Sequence, residues 1–212
     1  MLTVNEIFYS IQGEGTRAGR PCVFVRLTGC PLRCVYCDTA YAFVEGRRRS
    51  EDDMVAEIEG YPCRLVELTG GEPLAQPDAF PFLSRLADRG FEVLVETSGH
   101  ILLDRLDPRV IVIMDVKTPG SGENHRLEWR NLDGLKPNDE VKFVITDRAD
   151  YEWSRALVRE RGLAARGTVL FSPSHGVLSA ADLARWILDD GLPVRLQVQL
   201  HKYVWPGVER GV

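Results

Sequence analysis

The 212-residue chain lacks the features that mark several large classes of protein. No apolar run approaches the roughly 20 residues of a membrane span, so we expect no membrane partner. The formal net charge is −5, so no global positive field would recruit nucleic acid, and we expect no such partner. The arginine run at residues 47–49 is predicted to be a solvated loop tip. No linker, repeat or low-complexity segment divides the sequence, and we expect a single domain spanning residues 1–212.

Disulfide bonds are not expected either. The chain has five cysteines, which is an odd number, and it shows no signal peptide. Cys22 lies in an apolar run and Cys63 comes just before another, so both are predicted to be structural. The remaining three cysteines, at Cys30, Cys34 and Cys37, form the motif C-x3-C-x2-C.

The spacing of these three cysteines is the most informative feature of the chain. A structural zinc site needs four protein ligands, and a redox-inert four-iron cluster needs four thiolates. Three close thiolates, with Tyr36 directly before the last one, instead favour a [4Fe-4S] cluster that leaves one iron open. S-adenosylmethionine docks on such an iron in the radical S-adenosylmethionine superfamily, which the motif resembles. A zinc site completed by Cys22, Cys63 or a histidine is the alternative. A thiolate-ligated cluster needs a reducing compartment, so we expect a cytoplasmic protein.

Strand-like apolar runs alternate with amphipathic helical stretches along the chain. Ser50 and Ser179 are predicted helix N-caps, and Gly162 is predicted to end a helix. This alternation predicts parallel strands joined by right-handed crossovers. Six units are too few for a complete barrel of about 250 residues, so we predict an α/β fold, a partial (β/α)6 barrel with two flanking strands. The barrel strands are predicted at residues 23–27, 65–68, 93–96, 111–116, 141–145 and 169–171, the flanking strands at 4–9 and 194–200, and two of the helices at 79–87 and 151–161.

Polar motifs fall at the carboxyl ends of the predicted strands, where the loops of such a barrel carry its chemistry. Gly70 and Gly71 suit a close approach of the backbone to the methionine moiety of a bound cofactor, and a simple turn is the alternative. Glu72 is either a ligand or a turn-capping carboxylate. The superfamily resemblance implies S-adenosylmethionine contacts at Tyr36, Cys37, Asp38, Gly71, Glu72, Glu96, Ser98, Asp115, Val116, Lys117, Ser172 and Pro173.

Residues near both ends of the chain narrow the resemblance. The segment Gln12-Gly13-Glu14-Gly15 and the segment His201-Lys202-Tyr203 recur together in one subgroup. On these residues the chain resembles the 7-carboxy-7-deazaguanine synthase family over nearly its whole length. Two alternatives remain open. One is a glycyl-radical-activating enzyme of the same superfamily, in which we would not expect these two segments. The other is a non-catalytic iron–sulfur or zinc module, which predicts four cysteine ligands and no cofactor site.

The family resemblance implies a substrate, 6-carboxy-5,6,7,8-tetrahydropterin. The carboxylate of Glu14 suits a ring N–H together with an exocyclic amine, because it accepts two parallel hydrogen bonds. The guanidinium of Arg26 suits the substrate carboxylate, and a surface salt bridge is the alternative. For His201 the alternative is a structural histidine. The implied substrate contacts are Ile11, Gln12, Gly13, Glu14, Arg26, Thr69 and His201.

The resemblance also implies Mg2+ bound by Thr39, because Mg2+ keeps several waters and relies on its substrate for charge; a turn hydroxyl is the alternative. The implied reaction begins when an electron donor such as flavodoxin or ferredoxin reduces the cluster. The cofactor is cleaved to a radical that removes hydrogen from C6 of the pterin. The ring then contracts, regains a hydrogen and loses ammonia, while S-adenosylmethionine is regenerated. No protein nucleophile is required. A homodimer is the implied assembly.

Overall fold

The computed structural model describes all residues, 1–212, and is organised around one nine-stranded sheet. Its strands are β1 (Leu2–Ile11), β2 (Pro21–Leu27), β3 (Arg47–Arg49), β4 (Leu65–Gly70), β5 (Glu92–Thr97), β6 (Ile111–Asp115), β7 (Glu140–Ile145), β8 (Thr168–Pro173) and β9 (Arg195–Leu196). The spatial order is β3-β1-β2-β4-β5-β6-β7-β8-β9. The six strands β2 and β4 to β8 are parallel, β9 adds a parallel edge, and β1 pairs antiparallel with β2. The predicted partial (β/α)6 barrel is confirmed, and its sheet is not closed.

Helices cover the outer face of this sheet, except for the last one, whose His201 and Lys202 line the interior cavity. They are α1 (Glu51–Glu59), α2 (Ala79–Asp88), α3 (Arg130–Asp133), α4 (Arg148–Glu160), α5 (Leu163–Arg166), α6 (Ala180–Asp189) and α7 (Leu200–Val204). The predicted caps are present, because the hydroxyls of Ser50 and Ser179 accept backbone N–H groups of the first helical turn. Gly162 ends the α4 region in the left-handed conformation. None of the helices is long and apolar enough to cross a membrane.

Three local predictions were wrong. The arginines at 47–49 form strand β3, which pairs with residues 2–4 of β1; charged side chains suit such an exposed sheet edge. Of the flanking strand predicted at 194–200, only the two residues of β9 form a strand. Leu200 begins α7 because its N–H donates to the carbonyl of Gly13. Helix α4 begins at Arg148, three residues before the predicted start, because the Asp147 carboxylate caps it.

Side chains of the parallel strands alternate between two environments. On β4, Val66 and Leu68 are fully buried in the large apolar cluster beneath the helices, whereas Glu67 and Thr69 line the interior of the barrel. The same alternation on β7 buries Phe143 with the helices and places Lys142 inside. The large apolar core therefore lies outside the sheet, and the interior holds the polar groups together with a smaller apolar cluster that includes Phe24, Leu94 and Ile113.

The hairpin of residues 12–20, between β1 and β2, closes the amino-terminal end of the barrel. Arg17 forms salt bridges with Glu92 and Glu140, which are the first residues of β5 and β7. The backbone N–H of Gly15 donates to Gln197 Oε1 at 2.5 Å. The barrel interior is therefore closed at this end, and its wider access is from the carboxyl-terminal loops.

Candidate active site

The main cavity, of about 380 Å³, lies inside the open barrel. All seven predicted substrate contacts line it, and so do the three motif cysteines and Thr39. Eight of the twelve predicted cofactor contacts also line it, namely Tyr36, Cys37, Asp38, Gly71, Glu96, Ser98, Asp115 and Lys117. The structure thus brings together residues that are up to about 200 positions apart in the sequence, as expected where the strands of one barrel surround a common site.

The cysteine loop follows β2 and packs against the Gly70-Gly71 turn. A Cβ atom on Gly71 would lie 2.2 Å from the Gly29 carbonyl oxygen, and the Glu72 N–H donates to that oxygen at 2.8 Å. The second glycine is therefore needed for close contact between the two loops. Burial raises the pKa of the Cys34 thiol to about 11, so this thiol is neutral at pH 7 unless a cationic group binds it.

The positions of the cysteines test the two metal interpretations. Cys22 is fully buried at the start of β2, and Cys63 precedes β4, with its Sγ 3.1 Å from the Pro21 carbonyl oxygen. Neither residue lines the cavity. No group of three or more His, Cys, Asp or Glu side chains is arranged to hold a single metal ion. Three partly exposed thiols around one cavity fit a cluster with an open iron, and the zinc site that used Cys22 or Cys63 is not supported.

Asp115 and Lys117 lie beside the cysteine loop. Lys117 Nζ is 2.9 Å from Asp115 Oδ2, whereas the buried Oδ1 atom of Asp115 has no hydrogen-bond partner. Burial alone would raise the pKa of this carboxyl, but Lys117 and Lys142 lower it overall. A buried ionised carboxylate with a free acceptor atom is suited to a ligand with hydrogen-bond donors.

Lys142 organises the charges deeper in the cavity. Its Nζ atom lies 2.7 Å from Glu14 Oε2, pairs closely with Glu96 and is 3.4 Å from Asp115 Oδ2. Burial would lower the pKa of Lys142, but these three carboxylates raise it well above its ordinary value. The lysine is therefore a permanent cation that holds the side chain of Glu14 in place.

The hairpin segment of the site is more tightly engaged than expected. Both amide atoms of the Gln12 side chain bond within the protein, to Glu67 and to the Glu14 N–H. A Cβ atom on Gly13 would lie 2.2 Å from His201 Nδ1, so this position has room only for glycine. The Glu14 carboxylate also accepts from Gln197 and Gln199, each at 3.0 Å. Gln12 therefore supports the segment, and Glu14 and the backbone remain to contact a ligand.

Arg26 lines the cavity from β2 and is mostly buried, which argues against an exposed surface pair. Its Nε atom donates to Glu6 Oε1 at 2.8 Å, while its two terminal nitrogens make no protein hydrogen bond. Thr39 also lines the cavity; its hydroxyl makes no helix-capping hydrogen bond, but it lies 3.8 Å from Cys37 Sγ, within hydrogen-bonding distance for sulfur. Arg26 is thus left with free terminal nitrogens at the cavity surface, and the Thr39 oxygen keeps acceptor capacity there.

Four predicted cofactor contacts do not line the cavity: Glu72, Val116, Ser172 and Pro173. The buried Glu72 carboxylate accepts hydrogen bonds from the Leu74 N–H, the Thr97 hydroxyl and both the N–H and hydroxyl of Ser98. Its acceptor capacity is used in holding two loops together, so the structure favours the capping alternative.

Sequence reasoning gave no role to three residues of the site, although Lys142 stands out as a polar residue of the fifth predicted barrel strand. Glu67 and Lys142 are charged residues in otherwise apolar strands, and that exception to the burial pattern was the available signal. Gln199 gave no comparable signal, because it reaches Glu14 only through the path of the chain after β9.

Comparisons with known proteins agree with this geometry. The Radical SAM superfamily model matches residues 24–119. The 7-carboxy-7-deazaguanine synthase of Koribacter versatilis is 46% identical over 226 aligned residues that cover 100% of both chains. The enzyme of the same name from Chlorobaculum tepidum is 44% identical, over 100% of this chain and 97% of that one. The crystal structure of QueE from Escherichia coli superposes with a TM-score of 0.78 at 26% identity, covering 94% of each chain.

Proposed function

The chain belongs to the 7-carboxy-7-deazaguanine synthase family of radical S-adenosylmethionine enzymes. From this we propose which part of its cavity binds the cluster and cofactor and which part binds the substrate. It is an enzyme that uses a [4Fe-4S] cluster and S-adenosylmethionine to form 7-carboxy-7-deazaguanine and ammonia from 6-carboxy-5,6,7,8-tetrahydropterin. The single observation that carries the proposal is the layout of the cavity. Three thiols lie at its loop end, and a carboxylate held by Lys142 lies at its closed end.

The loop end is assigned to the cluster and cofactor. Cys30, Cys34 and Cys37 would hold the cluster, and Asp115 with Lys117 would contact S-adenosylmethionine. The bound cofactor supplies the abstraction of the C6 hydrogen atom. The protein's part is to hold the pterin in a fixed orientation and to exclude water, which the closed amino-terminal end favours.

The closed end is assigned to the pterin. Glu14, which is ionised and held by Lys142, accepts the ring N–H and the exocyclic amine. Arg26 offers its two free terminal nitrogens to the substrate carboxylate. Thr69 and His201 complete the contacts; burial lowers the pKa of His201, so its imidazole is neutral at pH 7 and can both donate and accept.

Thr39, which lines the cavity, would hold Mg2+ through its neutral hydroxyl oxygen, and the ion would supply positive charge for the substrate carboxylate. We further propose a single-domain cytoplasmic enzyme that assembles as a homodimer and receives its electrons from a flavodoxin or ferredoxin.

Anaerobic incubation of the reconstituted protein with the pterin, S-adenosylmethionine, Mg2+ and a reductant tests the proposal, with the product identified by mass. We expect 7-carboxy-7-deazaguanine and ammonia in equal amounts, and no product from the Cys34→Ala variant. Cofactor cleavage without pterin turnover would refute the substrate assignment and would favour an activating enzyme with a protein substrate.

A further inference from the structure

Glu67 is a buried carboxyl group without a cationic partner. It is the third residue of β4, is 4% exposed and lines the closed end of the cavity. No lysine, arginine or histidine lies within salt-bridge distance of it, although three neighbouring carboxylates share Lys142. Its one hydrogen bond comes from Gln12 Nε2, which lies 2.6 Å from Oε2. The second oxygen, Oε1, makes no hydrogen bond within the protein.

The charge balance of the cavity indicates which form of Glu67 is present. Glu14, Glu96 and Asp115 share the two cations Lys142 and Lys117, and neither lysine pairs with Glu67. Burying an ionised carboxylate without a partner is strongly unfavourable, and such a group takes up a proton instead. The geometry therefore favours a neutral carboxylic acid at this position.

The surrounding groups act in the same direction. Burial raises the pKa of Glu67 to about 8, and repulsion by Glu96 on β5 and Glu14 on the hairpin adds to this effect. The hydrogen bond from Gln12 and the more distant charge of Lys142 on β7 oppose it. From β2, the thiol of Cys22 interacts with Glu67 and is itself neutral because burial raises its pKa. The cation of Arg26, also on β2, lines the same cavity but pairs with Glu6.

The orientation of Gln12 locates the proton on Glu67. The backbone N–H of Glu14 can only donate, so the atom of Gln12 that it meets at 3.1 Å is the carbonyl oxygen Oε1. The amide nitrogen of Gln12 must then face Glu67 and donate to Oε2. Oε2 is thus an acceptor, and the proton of the neutral acid belongs on Oε1.

We propose that Glu67 is a specificity-determining residue which, as a neutral acid, donates a hydrogen bond from Oε1 to the ring carbonyl of the pterin. The inference rests on the proposed function. The pyrimidinone edge presents an exocyclic amine, a ring N–H and a carbonyl in a row. Glu14 accepts from the first two, and the carbonyl then requires a donor. An ionised Glu67 would instead place a second acceptor against that carbonyl.

The test is the pH dependence of pterin binding to the anaerobic holoenzyme, loaded with cluster and S-adenosylmethionine but without reductant. For the wild type we expect the Kd of the pterin to rise about tenfold for each pH unit above about 8, because the protonated form of Glu67 is lost there. The Glu67→Gln variant keeps an acceptor for Gln12 and a donor for the carbonyl, so its Kd at pH 7 should stay within about threefold of the wild type and should lack this rise. Glu57→Gln, on the outer helix α1, is the matched control and should keep the wild-type profile.

A Glu67→Gln profile identical to that of the wild type would overturn the inference while leaving the pterin assignment intact. Failure of the wild type to bind the pterin at any pH would instead refute the proposed function. Should Glu67→Gln not fold, the 4-amino analogue of the pterin supplies the second measurement on the wild type. The analogue lacks the ring N–H that Glu14 accepts, so only the direction of its pH dependence is compared. Its 4-amino group donates to ionised Glu67, so its Kd should fall as the pH rises, and a rise parallel to that of the 4-oxo compound would also overturn the inference.

Discussion

Lys142 Nζ and Glu14 Oε2 lie 2.7 Å apart, although 128 residues separate them in the sequence. Lys142 comes from the barrel strand β7, and Glu14 comes from the hairpin that closes the barrel. Burial alone would raise the pKa of Glu14, but the attraction of Lys142 and the hydrogen bonds from Lys142 and Gln199 lower it overall. The pair therefore keeps an ionised acceptor at the closed end of the cavity.

Replacing Lys142 with methionine should destabilise the protein by about 3–5 kcal/mol at pH 8, because it leaves buried carboxylates without their cation. The pKa values of Glu14 and Asp115 then rise in the folded state, since Lys142 lowers both. Their protonation restores stability as the pH falls, so the deficit relative to wild type should shrink at pH 5. Urea unfolding at both pH values measures this loss of unfolding free energy, with Arg195→Met on the exposed strand β9 as the control. An equal deficit at both pH values would contradict this account.

Replacing Cys30, Cys34 or Cys37 with alanine should abolish both the brown chromophore and turnover. Cys22→Ala and Cys63→Ala should leave both nearly intact, because these residues lie away from the cavity. Cys22→Ala should still cost about 1 kcal/mol of unfolding free energy, since it removes a buried sulfur. Iron content and visible absorption separate the two groups. Loss of the cluster in Cys22→Ala would refute the three-ligand interpretation.

Arg26→Ala should lower kcat/KM for the pterin by about 30-fold to several thousand-fold, equivalent to about 2–5 kcal/mol. The substrate carboxylate would lose its charged partner in a partly buried site. Cleavage of S-adenosylmethionine without the pterin should persist in this variant, because the cysteine loop is unchanged. Arg85→Ala, on the outer helix α2, controls for the general loss of an arginine. Full turnover by Arg26→Ala would remove Arg26 from the substrate site.

Thr39→Ala should raise the Mg2+ concentration for half-maximal activity by at least about tenfold and raise the KM for the pterin. The cluster spectrum should not change, because the hydroxyl is proposed to place the substrate and not to generate the radical. Titration of Mg2+ against initial rate measures the effect, and Thr168→Ala at the start of β8 is the control. An unaltered Mg2+ requirement would return Thr39 to a structural role in the turn.

The sequence predicted much of the fold, for reasons that are local. Each barrel strand is a short apolar run, and Ser50, Ser179 and Gly162 mark helix ends by their own backbone and side-chain chemistry. The strand at 47–49 escaped prediction because arginines form it only where the edge of β1 is available for pairing. The short extent of β9 has the same kind of cause, since the chain after it turns toward the hairpin.

The sequence by itself determined the chemistry, because the C-x3-C-x2-C spacing and the Gln12 to Gly15 segment specify a cluster and a family without reference to distant contacts. Only the tertiary structure decided how the polar residues divide their roles. It assigned Glu72 to a cap, made Gln12 a support, brought Lys142 to Glu14 and left Glu67 without a cation. The physical reason is that the charge and hydrogen bonding of a buried group depend on which neighbours replace its water, and in this barrel those neighbours come from strands far apart in the chain.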